Sequence, residues 1–255
     1  MKRVNVMRRS RKISALILAA GKGTRMKSDL VKVLHLLHGK PLLAYSLDIA
    51  RAVGAEKTVV IIGHQADLIR EQFKQENVSF VEQVEQLGTG HAVLQAKGHF
   101  EGYRGTVLIL CGDVPCLKVA TVKRLIARHF EERAAVTVMS IVLDDPGSYG
   151  RVVTAENGEV LKIVEARDAS PDEQRIREIN TGIYCADGRF LFEAASEIRN
   201  DNAQGEYYLT DIIEIAREKG LPVRSFIARD AIEVMGINTP EDLERARCHQ
   251  ERSAR

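Results

Sequence analysis

The sequence predicts an α/β fold built on a mixed, mostly parallel sheet with helices on both faces. Three observations carry this. Ile13–Ala19, Thr58–Ile62 and the run from Thr106 to Leu110 are almost continuously apolar and of strand length, as strands buried on both faces are. Stretches of helical periodicity separate these runs, the alternation of a doubly covered sheet. Hydrophobic residues make up 45% and charged residues 28% of the 255 positions, ordinary values for a globular chain long enough to bury a sizeable core.

Each element follows from local chemistry. After the first strand, Pro41 opens an amphipathic helix reaching about Val53, because proline is tolerated in a first turn where its missing N–H is not needed. The second strand, Thr58–Ile62, precedes a helix near 66–75 and a short strand at 78–81. The strand from Thr106 ends at Cys111-Gly112-Asp113, followed by a helix over 119–132 and a strand over 135–143. The pattern changes after Asp144. Segments 150–154 and 160–165 read as a hairpin around Asn157-Gly158, a favoured tight-turn pair. A strand over 179–185 and a helix over 189–198 come next. The second half therefore reads as an antiparallel insertion plus returning helices. No Pro-, Gly- or Ser-rich linker and no internal repeat interrupts it. This predicts a single domain over 13–255 with lobes at about 13–117 and 118–237, a C-terminal helix over 239–252, and a basic extension over 1–12.

The net charge of +2 is too small to indicate a nucleic-acid binder. The four cysteines, Cys111, Cys116, Cys185 and Cys248, form no CxxC pair and no zinc spacing, and read as reduced, buried small hydrophobes of a cytosolic protein. Basic residues ahead of Ile13 mimic a signal peptide, but the apolar run is short, lacks an A-x-A site and enters a glycine-rich loop. No stretch reaches the length of a membrane span. A cytoplasmic protein with neither nucleic-acid nor membrane partners is expected.

Two constellations carry chemistry. Leu18-Ala-Ala-Gly-Lys-Gly-Thr-Arg-Met26 follows the first strand. Its glycines let backbone N–H groups approach phosphate oxygens, and Lys22, Arg25 and the later Lys32 add positive charge. Met26 stands where a Rossmann fingerprint has its third glycine, and the P-loop spacing is absent. A glycine-rich turn with solvated lysines is the plainer alternative. Asp113, at a buried strand's end before Pro115, lies where open α/β sheets gather ligands and suits a magnesium ion; an Asp opening a turn is its plainer alternative. Thr239, Pro240 and Asp242 form a capping box. The cap leaves Asn238 unexplained, and its amide oxygen could face a metal.

From about Ile13 to Leu243 the chain resembles the uridyltransferase domain of bacterial N-acetylglucosamine-1-phosphate uridyltransferase, a sugar nucleotidyltransferase. The resemblance rests on the glycine loop, Lys32-Val-Leu-His35, Glu85-Gln-Leu-Gly-Thr-Gly-His-Ala92, Gly112-Asp-Val-Pro115, Tyr149-Gly-Arg151, Ile163-Val-Glu165, Glu178-Ile-Asn-Thr-Gly182 and Asn202-Ala-Gln-Gly-Glu-Tyr-Tyr-Leu-Thr-Asp211. It implies the Rossmann-like nucleotide-diphospho-sugar transferase fold, with a nucleotide lobe followed by a small antiparallel sugar-binding lobe. It also implies roles. Leu18, Ala20, Gly21, Gly23, Gln83, Gly88 and Thr89 would bind the nucleotide, Gln83 reading the polar edge of uracil. Arg25 and Lys32 would be catalytic, holding the triphosphate. Asp113 and Asn238 would bind Mg²⁺. Gly150, Glu165, Asn180, Tyr208 and Thr210 would bind the amino sugar.

The implied reaction makes UDP-N-acetylglucosamine, a cell-wall and lipopolysaccharide precursor, and pyrophosphate from UTP and N-acetylglucosamine 1-phosphate. The sugar phosphate is already ionised near neutral pH, so in-line attack on the α-phosphorus needs no general base, only positioning and charge neutralisation. The alternatives are the same chemistry with another sugar 1-phosphate, such as glucose 1-phosphate, or another nucleotide, and, more distantly, a non-catalytic nucleotide-sugar binding module.

Three departures matter. Val31 replaces the proline that usually precedes the lysine, which predicts a looser arm around Ser28 to Lys32. Cys111 replaces an aromatic residue near the acetamido pocket. The sequence stops at Arg255, where two-activity relatives continue into a trimer-forming β-helix; acetyl transfer is expected to be absent, and a monomer or weak oligomer is expected. His35, His64, His99, His129 and His249 show no metal spacing, and His91 reads as structural.

Overall fold

The computed structural model describes residues 11–253, so most of the basic extension read over 1–12 lies outside the described residues. Its strands are β1 (Ile13–Ala19), β2 (Leu36–Leu37), β3 (Lys40–Pro41), β4 (Thr58–Ile62), β5 (Ser79–Glu82), β6 (Thr106–Cys111), β7 (Val136–Val142), β8 (Arg151–Thr154), β9 (Val160–Val164), β10 (Glu178–Asp187) and β11 (Val223–Ile227). The helices are α1 (Leu42–Ala52), α2 (Ala66–Gln72), α3 (Thr89–Gln95), α4 (Val119–Glu131), α5 (Pro171–Gln174), α6 (Gly188–Ala195), α7 (Ile212–Glu218), α8 (Ala231–Val234) and α9 (Pro240–Ser253).

The main sheet has the order β11-β7-β10-β6-β1-β4-β5, with β8 and β9 branching from β10. β6, β1, β4 and β5 are parallel, as are β7 and β11. β10 runs antiparallel to both β6 and β7. The carboxyl ends of β1, β4, β5, β6 and β7 therefore emerge along one edge. Because β10 is reversed, its beginning, with Asn180, reaches that same edge.

Alternation along each strand divides the apolar side chains between two cores. Leu16, Ile61 and Ile109 pack with Val93, Leu191 and Ile213 on one face. Ile17, Ile62 and Leu110 pack with Leu43, Ile69 and Leu125 on the other. Each such side chain contributes roughly 1.5–3 kcal/mol by leaving water, so the continuous apolar runs are what a doubly covered sheet requires.

Some boundaries differ from expectation. Pro41 pairs with Leu36 in a small ribbon and has extended backbone (φ −57, ψ 144), so α1 begins one residue later. α2 stops at Gln72 because Phe73 leaves helical backbone (φ −113) while its ring is buried. The short strand starts at Ser79 rather than Val78. The β8–β9 hairpin closes through a longer loop: Ala155 N–H donates to Glu159 O at 2.8 Å and Gly158 takes φ +79.

Candidate active site

The parallel strand ends build the site. β1 releases the glycine loop, in which Gly23 has φ +64 and sits so close that a Cβ there would overlap Lys32 Cβ. β5 ends beside Gln83, and β6 leads into Asp113. Between them opens a cleft of about 320 Å³ lined by Leu18, Ala20, Gly21, Lys32, Gln83, Gly88, Thr89 and Asp113. Every residue expected on the nucleotide lines it except Gly23, which lies behind Lys32. Gln86 also lines the cleft and was not foreseen; its Nε2 donates to Ala20 O at 2.8 Å, fixing one wall.

Gln83 is 4% exposed. Its Nε2 donates to Gly88 O at 2.9 Å and meets His91 Nδ1 at 3.1 Å. With both amide hydrogens engaged, His91 Nδ1 is the acceptor in this network, and Gln83 Oε1 is left to accept from a ligand. His91 thus contacts the residue expected to read the base, and its other ring nitrogen lies 2.9 Å from Gln95 Nε2.

The charged group assembles from distant parts of the chain. Lys32 Nζ donates to Asn238 Oδ1 at 3.0 Å and pairs with the Asp113 carboxylate. Ile237 N–H donates to Asp113 O at 2.8 Å, tying the Asn238 loop to the end of β6. The capping box is present: Asp242 Oδ2 accepts from Thr239 N–H at 2.9 Å, and Thr239 Oγ1 accepts from Asp242 N–H at 3.1 Å. Behind the group, Met26, Cys116 and Ile237 join a small third core, so the segments carrying Arg25, Asp113 and Asn238 share one apolar anchor. Arg25 is exposed and makes no hydrogen bond or ion pair among the described residues. Burial, then Asp113 and Asp242, push the Tyr149 phenol up, while Arg25 and Arg245 pull it down; Arg25 does not line the cleft.

Asp113 and Asn238 already face a cation, the Lys32 ammonium. One carboxylate and one amide oxygen, completed by substrate phosphates, is a donor set that fits magnesium. Among the described residues no cluster of three or more His, Cys, Asp or Glu side chains could hold a metal without substrate.

The second group lies along the start of β10. Asn180 N–H donates to Gly150 O at 2.9 Å. A Cβ on Gly150 would stand 3.2 Å from Glu165 Oε2, and Thr210 Oγ1 reaches Glu165 Oε1 at 3.4 Å. Tyr208 is not joined to this group by hydrogen bonds; its phenol lies 3.2 Å from Asp168 Oδ2 and 2.8 Å from Gln204 Nε2. Cys111 links the two groups: it lines the cleft and donates to Gly182 O at 3.4 Å. Its desolvated surroundings, and then the Asp113 carboxylate, push its thiol up to about 12. Cys116 and Cys185 are buried as expected, whereas Cys111 is only partly so and Cys248 is exposed.

Asp211 stands beside this group. Burial, then Glu214, Glu165 and Asp168, push its carboxyl up to about 6 from the usual 3.8. The folded state then holds the proton more tightly than the unfolded state. Ionised Asp211 therefore costs stability above about pH 6, and the cost is relieved as pH falls towards 3.8. Discounted for solvent screening, the effect is about 1 kcal/mol. Asp211→Asn is expected to raise Tm at pH 7 by roughly 2–4 °C. Calorimetry at pH 7 and pH 4 should show the gain at the first and little of it at the second.

A model of the MobA-like NTP transferase domain matches residues 15–179. The chain belongs to this family. It is 51% identical over 235 residues to bifunctional protein GlmU of Geobacter metallireducens and 48% identical over 241 residues to that of Geobacter sulfurreducens, covering 92% and 94% of this chain. Those matches take in 49% and 51% of the relatives, so the chain spans about half their length. A crystal structure of UDP-glucose pyrophosphorylase complexed with UDP-glucose superimposes with a TM-score of 0.74 at 19% identity, covering 96% of this chain and 100% of that one. It shares the fold, the nucleotide-diphospho-sugar transferase type expected for an NTP transferase domain. No helix among the described residues is long and apolar enough to cross a membrane.

Proposed function

We propose that this NTP transferase domain makes UDP-N-acetylglucosamine and pyrophosphate from UTP and N-acetylglucosamine 1-phosphate, in the cytoplasm and with Mg²⁺. The meeting of Lys32, Asp113 and Asn238 at the mouth of the glycine-loop cleft carries the reading. The identity to the GlmU relatives supports the substrate pair.

Asp113 and Asn238 would hold Mg²⁺, which supplies charge neutralisation at the phosphates. Arg25 and Lys32 would add theirs, Lys32 turning from Asp113 to the triphosphate. Backbone of the Gly21 loop faces the nucleotide, and Gln83 Oε1 accepts from the uracil N3–H. Cytosine carries an acceptor at that ring position, so the fixed amide disfavours it. Gly150, Glu165, Asn180 and Thr210 orient the sugar, and Tyr208 shapes the outer rim. The attacking phosphate oxygen is ionised at neutral pH, so these residues position rather than deprotonate.

Pyrophosphate release over a matrix of nucleoside triphosphates and sugar 1-phosphates, with and without Mg²⁺, tests the reading. UTP with N-acetylglucosamine 1-phosphate should give the highest kcat/KM. A clear preference for glucose 1-phosphate would overturn the sugar assignment, a direction in which Cys111 in the cleft points. Tight product binding with no pyrophosphate release would instead indicate a binding module. Gln83→Leu should raise KM for UTP roughly 10–100-fold with a smaller change in kcat, the weight of one base contact and its unpaired neighbours.

A further inference from the structure

We infer that Gln65 is a positioning residue for Lys32, bracing the phosphate-facing arm through both ends of its side-chain amide. The arm leaves the turn at Thr24–Met26, passes exposed Ser28, Asp29 and Leu30, and re-enters the protein at buried Val31, directly before Lys32. Gln65 stands opposite, at the carboxyl end of β4 and immediately before α2. Its Oε1 accepts from Val31 N–H at 2.7 Å and its Nε2 donates to Asp29 O at 2.6 Å. One planar group thus holds the arm on both sides of Leu30. This fixes the backbone entering Lys32, while the Gly23 backbone closes against Lys32 from the other side.

Two further observations mark Gln65. Its backbone is left-handed (φ 55, ψ 40), a conformation that side chains other than glycine, asparagine and aspartate seldom adopt. Such an outlier persists where surrounding structure holds it, commonly at functional sites. Val31, in turn, has φ −56 and ψ 137, a backbone proline itself adopts, yet it uses the N–H that proline lacks. A hydrogen bond from Gln65 here does the work that a proline ring would do by restricting φ. The looser arm expected from Val31 is therefore opposed by a contact that only a residue with an N–H can make.

The idea rests on the proposed reaction for its kinetic consequence, since Lys32 must be held to meet the triphosphate. The test uses Gln65→Ala, Val31→Pro and the double variant, each first checked for a Tm near the parent's. Gln65→Ala should lower kcat/KM for UTP about tenfold, the weight of one or two hydrogen bonds. The Val31 amide, protected from hydrogen exchange in the parent, should exchange freely. The double variant should recover most of the loss, because proline restores the restriction without needing Gln65. Unchanged kcat/KM and unchanged Val31 exchange in Gln65→Ala would overturn the brace, as would purely additive losses in the double variant. If Val31→Pro fails to fold, Gln65→Glu decides. It keeps the acceptor for Val31 and loses the donor to Asp29, so it should fall between parent and Gln65→Ala, and equality with Gln65→Ala in both readouts would overturn the brace. If the parent itself releases no pyrophosphate, the reaction is wrong, and Val31 exchange still reports on Gln65.

Discussion

Asp113→Asn is expected to reduce pyrophosphate release by at least about 10²–10³-fold, the loss that follows removal of one group stabilising transition-state charge. The fold should survive. The backbone carbonyl of residue 113 still accepts from Ile237 N–H, and the side chain is 18% exposed rather than locked in the core. Tm is expected to stay within about 3 °C of the parent's, a change of roughly 1 kcal/mol. The substitution keeps one oxygen and removes the charge, so the Mg²⁺ concentration giving half-maximal rate should rise. Lys32, relieved of its carboxylate partner, keeps Asn238 Oδ1 at 3.0 Å. Turnover equal to the parent's at saturating Mg²⁺ would show that Asp113 is only the turn-opening residue its neighbour Pro115 permits.

Much of this arrangement is legible in the sequence, and the reason is burial. Ile13–Ala19, Thr58–Ile62 and Thr106–Cys111 are apolar at almost every position because both sheet faces are covered, so they stand out. The strands' parallel order then sends the glycine loop, Gln83 and Asp113 to one edge. β11 is less visible because it lies at the sheet edge, where Arg224 and Ser225 break the apolar run. α3 is hidden for another reason. Thr89 and Gly90 are poor helix formers, and the helix starts there because tertiary contacts fix it: Gly90 N–H donates to Tyr207 O at 2.7 Å. The site is legible where a residue's role is local, as at the Thr239–Asp242 cap. It is not legible where a role belongs to a contact across the chain. Nothing near Gln65 in sequence announces Val31, and nothing near His91 announces that its ring nitrogen orients Gln83.

Gly88→Ala should damage both the fold and substrate binding. Gly88 has φ 108 and ψ 174, a region open almost only to glycine, where strain alone is of order 1–3 kcal/mol. Space is lacking as well: a Cβ would stand 2.6 Å from Tyr207 O and 2.9 Å from Tyr207 N. Those are backbone atoms already fixed, since Tyr207 N–H donates to Leu87 O at 2.8 Å and Leu209 N–H donates to Thr89 Oγ1 at 3.0 Å. Relief requires parting the segments 87–90 and 206–209. That moves Gly88 O away from the Gln83 amide and shifts Tyr208 and Thr210 together, so KM should rise for both substrates. A loss of about 3 kcal/mol or more would lower Tm by roughly 6–12 °C. Gly102→Ala supplies the comparison: its φ of 71 carries the left-handed strain with no atom within 4 Å of the added Cβ. If Gly88→Ala melts no lower than Gly102→Ala and binds UTP normally, the loop is free to move. Gln83 would then be oriented by His91 alone.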